Sequence, residues 1–134
     1  MADNPTKTVL AAVSDVFFYV KLRDAVRPAG YGVERVRAQA EVLEKAVALM
    51  PVAVVLNMND AALDAFQALK ALKGDPVLRR IPILAFANHE EVDTWKRAKE
   101  LGVTKIVSRN EFSARTRDLL TEVEQRSHEN PPTA

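Results

Sequence analysis

Five short strand-like segments, each followed by a stretch with helical spacing, constrain the fold more than any other feature of this sequence. The segments are 8–13, 33–37, 52–56, 81–86 and 104–108. Runs such as Thr8–Val13 and Val52–Leu56 are continuously apolar or nearly so, which is typical of strands covered on both faces. Alternating strands and helices with short connections predict an α/β domain with a parallel sheet.

The intervening segments predict five helices. Apolar residues recur at helical spacing in 16–29, 41–50, 90–101 and 111–126, and at Leu63, Phe66, Leu69 and Leu72. Gly30, Gly102 and Gly74-Asp75-Pro76 are the expected stop signals of three of these helices. Pro28 should loosen the last turn of the first helix, because proline lacks a backbone N–H.

The length of the chain suits one domain. Its 134 residues are 48% apolar and 28% charged, ordinary values for a globular protein. We expect a single domain over 7–126, a flexible N-terminus over 1–6, and a disordered tail over 127–134 that contains Pro131-Pro132.

The composition excludes several classes of function. The 19 basic and 18 acidic residues nearly cancel, and the basic ones are scattered apart from Arg79-Arg80, which argues against a nucleic-acid or membrane surface. The absence of cysteine excludes disulfides and thiolate chemistry. No apolar segment approaches the ~18 residues of a membrane span and no secretory signal pattern is present, so we expect a cytoplasmic protein.

The predicted sheet also predicts where a ligand would bind. Open parallel sheets bind ligands beyond the carboxyl ends of their strands, where the strand order reverses. If the strand order is 2-1-3-4-5, that crevice lies above the first and third strands. The residues delivered to this edge are Val13, Ser14, Asp15, Asn57, Ala87, Asn88, His89, Ser108, Arg109 and Asn110.

Five landmarks along the chain resemble those of one family. They are K-T-V-L at 7–10, A-G-Y at 29–31, P-x-x-V-V-L at 51–56, D-P-V-L-R-R-I-P-I at 75–83 and L-G-V-T-K-I-V-S-R at 101–109. From Lys7 to about Val123 the chain resembles the receiver domain of bacterial two-component response regulators. The resemblance implies a flavodoxin-like (CheY-like), doubly wound, five-stranded parallel sheet of order 2-1-3-4-5 with five helices.

The resemblance also implies a phosphorylation switch. In that family an aspartate ending the third strand accepts a phosphoryl group from a histidine kinase, and it holds Mg²⁺ with an acidic pair that follows the first strand. A Thr or Ser and a Lys contact the phosphate, and a Thr/aromatic pair relays the change to the face formed by the fourth helix, fifth strand and fifth helix.

This chain departs from the family at each of those positions. Asn57 replaces the acceptor, Val13 and Ser14 the acidic pair, Ala87 the hydroxyl residue, Arg109 the lysine, and Ile106 the aromatic switch residue. Asn110 stands where the family has a proline after the lysine.

These replacements predict an inactive phosphorylation site. An amide oxygen is a poor nucleophile, Mg²⁺ prefers carboxylate and other hard oxygen ligands, and phosphoryl transfer depends on positioning and charge stabilisation. Asp15 is the one acid left among the aligned positions, so we expect neither a metal nor a cofactor. Asp60 and Asp64 are alternative acceptors, but each is more simply explained as a carboxylate at a helix N-terminus.

Two interpretations of the crevice remain open. Asp15, Asn57, His89 and Arg109 could form a small binding site, since the planar guanidinium grips oxyanions well. Alternatively, Arg109 pairs with Asp15 while Asn57 caps backbone amides, which would make the crevice inert. His89 is either a proton-sensitive group or simply the polar start of the fourth helix. A zinc site is not expected, because His128 falls in the predicted tail.

Exposed aromatic and apolar residues predict surfaces for partner proteins. Val92, Trp95 and Lys99 share one side of the fourth helix and, with Ile106, would form a partner face. The alternative is that Trp95 covers the edge of the core. In the cluster Phe17-Phe18-Tyr19, Phe17 or Val20 should remain near the surface as a second docking patch.

Three hypotheses about function follow. The leading one is an atypical receiver that is not phosphorylated and acts by binding other signalling proteins, with a homodimer through the fourth and fifth helices left open. The second is a sensor of a small anion or nucleotide in the crevice. The third, an enzyme of another class, is disfavoured because the sequence has neither a Gly-rich phosphate loop nor a Ser/His/Asp set.

Overall fold

One parallel sheet forms the centre of the molecule. The computed structural model describes residues 7–129, with side chains described as far as Arg126. Its five strands are β1 (Lys7–Ala12), β2 (Tyr31–Arg35), β3 (Ala53–Asn57), β4 (Ile83–Ala87) and β5 (Lys105–Ser108). They lie side by side in the order β2-β1-β3-β4-β5, which confirms the predicted topology.

Six α-helices connect and follow the strands in the described chain. They are α1 (Val16–Val26), α2 (Glu41–Leu49), α3 (Ala65–Gly74), α4 (Val92–Glu100), α5 (Arg109–Ala114) and α6 (Thr116–Glu129), with short 3-10 helices at Arg27–Ala29 and Leu78–Arg80. Pro28 lies in the first 3-10 helix, so α1 ends before the predicted boundary. Gly30 has φ of 91°, the left-handed conformation expected of a glycine that ends a helix.

The prediction of one final helix is wrong. Arg115 has φ of −131° and ψ of 31°, values outside the helical region, and it separates α5 from α6. The hydroxyl of Thr116 donates to the carbonyl of Phe112 at the break. α6 then continues to Glu129, three residues past the predicted end. The predicted flexible start (1–6) and the rest of the predicted tail (130–134) lie outside the described residues.

Two apolar layers cover the faces of the sheet. Successive residues of β1, β3 and β4 point to opposite faces, as the pleat requires. One face packs under α2, α3 and α4, the other under α1, α5 and α6. Each fully buried Leu or Val side chain contributes about 1.5–3 kcal/mol to folding, so the sheet is a rigid platform for the loops at its carboxyl edge.

A charged cluster ties the first strands to the last helix at the opposite edge of the sheet. The carboxylate of Glu124, in α6, accepts hydrogen bonds from Lys7 Nζ at 3.1 Å and from the Tyr31 hydroxyl at 2.7 Å. The Lys7 ammonium also lies 5.4 Å from the centroid of the Tyr31 ring.

None of the helices within 7–129 is long and apolar enough to cross a membrane.

Candidate functional site at the carboxyl edge of the sheet

The predicted site residues lie at one edge because the strands that carry them are parallel. Asn57 ends β3 opposite Phe86 of β4, and Ala87 ends β4 opposite Ser108 of β5. The loop from Val13 to Asp15 leaves β1 at the same edge. The topology therefore brings the sequence-predicted residues to one place, and their hydrogen bonds decide what each of them does.

Asn57 is turned back onto its own loop. The residue is 7% exposed, and its side-chain oxygen accepts a hydrogen bond from the backbone N–H of Asn59 at 2.9 Å. This is an Asx turn, in which a side chain replaces a backbone carbonyl. The inert interpretation of the crevice required such a contact from Asn57.

Asp60 joins the two loops that flank the predicted crevice. One of its carboxylate oxygens accepts from the backbone N–H of Ser14 at 2.7 Å, across 46 positions of sequence. The other accepts from the N–H groups of Ala62 and Leu63, both at 2.9 Å. Burial raises the pKa of Asp60, but these hydrogen bonds outweigh burial and leave that pKa below its ordinary value. Both oxygens of this carboxylate are therefore engaged.

The peptide groups of Ser14 are held from both sides. While its N–H donates to Asp60, its carbonyl accepts from Arg35 Nη2 at 3.1 Å. The Nε atom of Arg35 is buried and has no hydrogen-bond partner in the described chain. Sequence reasoning missed Arg35 because it concentrated on β1, β3, β4 and β5; a cation ending β2 at the same edge was the available signal.

The other two candidate carboxylates also bind backbone amides. Asp15 caps α1, accepting from the N–H groups of Phe17 at 2.9 Å and Phe18 at 3.2 Å. Asp64 caps α3 by accepting from Gln67 at 3.0 Å. The structure thus agrees with the interpretation of Asp64 as a helix N-terminal carboxylate.

This edge does not fit the Mg²⁺ that the resemblance implies. Mg²⁺ needs hard oxygens free to coordinate it in an octahedral arrangement. Here one oxygen of Asp15, the side-chain oxygen of Asn57 and both oxygens of Asp60 accept from backbone N–H groups. Within the described residues, no group of three acidic or histidine side chains converges on a point that could hold a metal.

Arg109 rests on aromatic rings rather than on an acid. Its guanidinium carbon lies 5.6 Å from the Phe18 ring centroid and 5.7 Å from that of Phe86. Phe18, Phe86 and Phe112 stack against one another beneath it, with centroid distances of 4.6–5.4 Å. No ion pair joins Arg109 to an acid in the described part of the chain, so the predicted pairing with Asp15 is not found.

A second link crosses the rim of the crevice between the loops that follow β3 and β4. The side chain of Asn59 accepts from the N–H of Asn88 at 2.9 Å and donates to Glu91 at 2.7 Å. The hydrogen bond from Asn59, followed by that from Thr94, lowers the pKa of Glu91. The sequence analysis did not identify Asn59 or Glu91 as site residues. The available signal was the presence of asparagines just beyond the adjacent strands β3 and β4, at Asn59 and Asn88.

His89 takes no part in this link. It is exposed and makes no hydrogen bond to any residue between 7 and 126. Its side chain therefore belongs to the outer rim, and the structure does not bring it together with Asn57 or Asp15 through a hydrogen bond.

The predicted partner face on α4 is less apolar than expected. Trp95 packs against the core, and its indole N–H donates to the carbonyl of Asn88 at 3.0 Å. Ile106 is buried, while Val92 and Lys99 are exposed. This arrangement agrees with the alternative in which Trp95 covers the edge of the core. Phe17 is 80% exposed, in agreement with the prediction for the aromatic cluster of α1.

No protein-family model and no curated protein sequence matches this chain. Several solved structures do. A sensor protein from Polaromonas sp. JS666 has a TM-score of 0.79 at 16% identity, over 92% of this chain and 99% of that one. The signal receiver domain of a signal transduction histidine kinase from Syntrophus aciditrophicus has a TM-score of 0.78 at 19% identity, over 96% of both chains.

The chemotaxis protein CheY4 of Vibrio cholerae is also similar, with a TM-score of 0.77 and 20% identity, over 87% of this chain and 98% of that one. At identities this low the similarity shows the fold alone. The chain therefore has the CheY-like receiver fold: five parallel strands in the order 2-1-3-4-5 between two layers of helices.

Proposed function

We propose that this domain is a receiver of bacterial signal transduction whose state is not set by aspartyl phosphate, and that it acts in the cytoplasm by binding other signalling proteins. The role in signal transduction is supported by the receiver fold, which this chain shares with signalling proteins. The observation that carries the proposal is the hydrogen bonding at the carboxyl edge. Asn57 provides no carboxylate there, and both oxygens of Asp60 are engaged by backbone N–H groups.

Phosphoryl transfer needs a nucleophile and charge stabilisation around the transferred group. Asp15 and Asp60, in the loops after β1 and β3, hold α1 and these loops in place. Asp60 has both oxygens engaged, and Asp15 uses one oxygen to cap α1, so neither carboxylate takes the place of the acceptor that Asn57 lacks.

Exposed apolar side chains support protein binding as the means of transmitting a signal. Val16 and Phe17 are exposed at the start of α1, next to the crevice, and Val92 is 70% exposed at the start of α4. Aromatic and apolar side chains exposed in this way are common anchors of protein interfaces. We expect Phe17→Ala, or Val92→Glu with Lys99→Glu, to weaken partner binding while leaving the fold intact.

The first test is the intact mass of the full chain after incubation with Mg²⁺ and acetyl phosphate. We expect no phosphoryl adduct on the wild type, while a receiver with an intact acceptor aspartate is modified in parallel. An adduct on the wild type that maps to Asp15, Asp60 or Asp64 would refute the proposal. Asn57→Asp tests whether the missing carboxylate is the only reason for inactivity. This variant becomes phosphorylated if it is, and stays unmodified if the surrounding replacements also prevent the reaction.

A second function, sensing of a small anion, is favoured by Arg109. Its guanidinium is held over two aromatic rings at the crevice and donates to no described acceptor. We expect thermal-shift measurements with inorganic phosphate and nucleotides to show stabilisation that Arg109→Gln removes. Absence of stabilisation by any of these anions would eliminate this alternative and leave protein binding as the proposed function.

A further inference from the structure

A small cavity lies where the break between α5 and α6 faces α1. This inner cavity has a volume of about 120 Å³, and its lining includes the apolar side chains of Phe18, Leu22 and Phe112. Leu22 and Phe112 are buried, whereas Ala25 and Ser113, which also line it, are exposed. The inner cavity therefore has an apolar floor and a mouth that opens to solvent.

The size and the lining of the inner cavity suit a single ring. Phe18 and Phe112 stack with their ring centroids 5.4 Å apart, and aromatic walls of this kind favour a further flat ring. A closed cavity of about 150 Å³ holds benzene. The inner cavity is slightly smaller but open at its mouth, so one ring can enter it with a substituent directed outwards.

A second, more polar concavity continues from this mouth towards the start of α6. This outer cavity has a volume of about 220 Å³ and shares Ala25, Ser113 and Thr116 with the inner one. The Thr116 hydroxyl already donates to the carbonyl of Phe112, whereas the exposed Ser113 hydroxyl makes no hydrogen bond within residues 7–126. A substituent that leaves the inner cavity therefore enters a region with a hydroxyl available to it.

The unpaired charges around the two cavities are mainly basic. Lys21 lines the inner cavity, and Arg117 and Asp118 line the outer one. None of these three forms an ion pair with another residue of the described chain. The remaining charged residue of the lining, Arg115, is paired with Glu111 at 2.6 Å. Two unpaired cations and one unpaired acid leave a net positive charge at the mouth.

We propose that the two cavities form a binding site for a small aromatic carboxylate. The ring occupies the inner cavity against Phe18 and Phe112, and the carboxylate is directed to the Lys21 ammonium, with the Ser113 hydroxyl as a second donor. Small-molecule sites combine an apolar concavity with a few polar groups in this way. The two cavities together fall at the lower end of the usual range of site volumes, roughly 300–1,000 Å³.

This site is distinct from the crevice at the carboxyl edge of the sheet. Phe18 borders both, because its ring lines the inner cavity and also lies beneath Arg109, 5.6 Å from the guanidinium carbon. Lys21 and Ala25 have no part in the hydrogen bonds that hold the crevice. The inference therefore does not depend on the proposed function.

Amide-resolved NMR titration of the full chain with benzoate tests the site. We expect saturable shifts centred on Lys21, Ala25 and Ser113. Benzyl alcohol, which carries the same ring without the charge, should bind more weakly. Absence of saturable shifts with benzoate, or shifts centred on Asn57 instead, would overturn the inference. Benzyl alcohol binding as tightly as benzoate would also overturn it, and would indicate an apolar side chain of a partner protein as the occupant.

Filling the mouth tests the position of the ring. Ala25→Leu places a larger side chain at an exposed position of α1 that lines both cavities, and it should abolish benzoate binding. Ala71→Leu is the matched control, because it enlarges an alanine that lines a different groove, between α2 and α3. Binding kept in Ala25→Leu, or lost equally in both variants, would contradict the proposed position.

Removing the charge tests the carboxylate, and does so even if Ala25→Leu does not fold. Lys21→Gln should weaken benzoate binding about tenfold, the loss expected when a charge-assisted hydrogen bond is removed. Lys70→Gln, which removes an exposed lysine of α3, and Arg109→Gln should bind benzoate as the wild type does. An effect of Lys21→Gln no larger than that of Lys70→Gln would refute the role of Lys21. Intact-mass measurement with acetyl phosphate does not involve this site, so the two proposals can fail separately.

Discussion

The two sides of the crevice use their charged groups differently. Beside β1 and β3, Asp60 and Arg35 hold the peptide groups of Ser14, and Asp15 caps α1. Beside β5, Arg109 is exposed and lies over Phe18 and Phe86 without an acidic partner among the described residues. Backbone N–H groups withdrawn from water must be paired, whereas an exposed guanidinium is satisfied by solvent. The side beside β1 and β3 should therefore govern stability, and Arg109 beside β5 should be free to bind a ligand.

The largest expected effect is that of Asp60→Ala. It removes the acceptor of three backbone N–H groups and detaches the loop after β1 from the loop after β3. We expect urea denaturation to show a loss of about 2–3 kcal/mol in unfolding free energy. Two of the three N–H groups are part-buried and each costs ~1–3 kcal/mol when unsatisfied, at the low end here because burial is partial, while the third is exposed to water. Asp64→Ala, which removes an ordinary helix cap, is the matched control. A loss from Asp60→Ala no larger than that from Asp64→Ala would contradict the role of Asp60 as a bridge.

The same carboxylate predicts a dependence of stability on pH. The pKa of Asp60 lies below its ordinary value of 3.8, so its contribution is fully present above that value and is lost as the pH falls through the lowered pKa. Unfolding free energy measured at decreasing pH should fall less steeply in Asp60→Asn than in the wild type. Identical slopes in that acid range would show that this carboxylate is not preferentially ionised in the folded state.

Loss of the Asp15 cap should have an intermediate effect. Asp15→Ala removes the acceptor of two N–H groups in the first turn of α1, and such a change costs about 1 kcal/mol. Asp15→Asn keeps a capping oxygen and should remain close to the wild type in thermal denaturation. If both substitutions were equally destabilising, the negative charge and not the cap would be the stabilising feature.

Arg109→Gln should have the smallest effect on stability. The contact of an exposed guanidinium with aromatic rings is worth about 0.5–1 kcal/mol. Chemical denaturation should therefore place this variant nearer to the wild type than either Asp60→Ala or Asp15→Ala. A loss greater than that of Asp15→Ala would make Arg109 a structural residue and remove the contrast between the two sides.

Sequence patterns predicted the five strands and brought Asn57 to the correct edge, because apolar runs and glycine stops report local structure directly. The strand order came from the resemblance to receiver domains. They did not predict that Asp60 bonds Ser14, since that contact depends on how two loops 46 residues apart approach each other. They also joined α5 to α6: no Gly or Pro marks the break at Arg115, where only the dihedral angles leave the helical region.

The side chains of the predicted partner face are less exposed than expected for a related reason. Helical spacing placed Val92, Trp95 and Lys99 on one side of α4, but it could not show that the indole of Trp95 would turn to the carbonyl of Asn88. Burial of Ile106 likewise depends on how α4 covers the edge strand β5, which is a property of the packed molecule.

The cluster of Lys7, Tyr31 and Glu124 has a consequence for synthesis of the chain on the ribosome. β1 emerges first, but the carboxylate that pairs with Lys7 lies 117 residues further on, and Tyr31 depends on the same oxygen. β1 and β2 can therefore pair early, yet the helical layer that covers them is completed only after α6 has emerged. Until then, the apolar face beneath α6 is open to solvent and to chaperones.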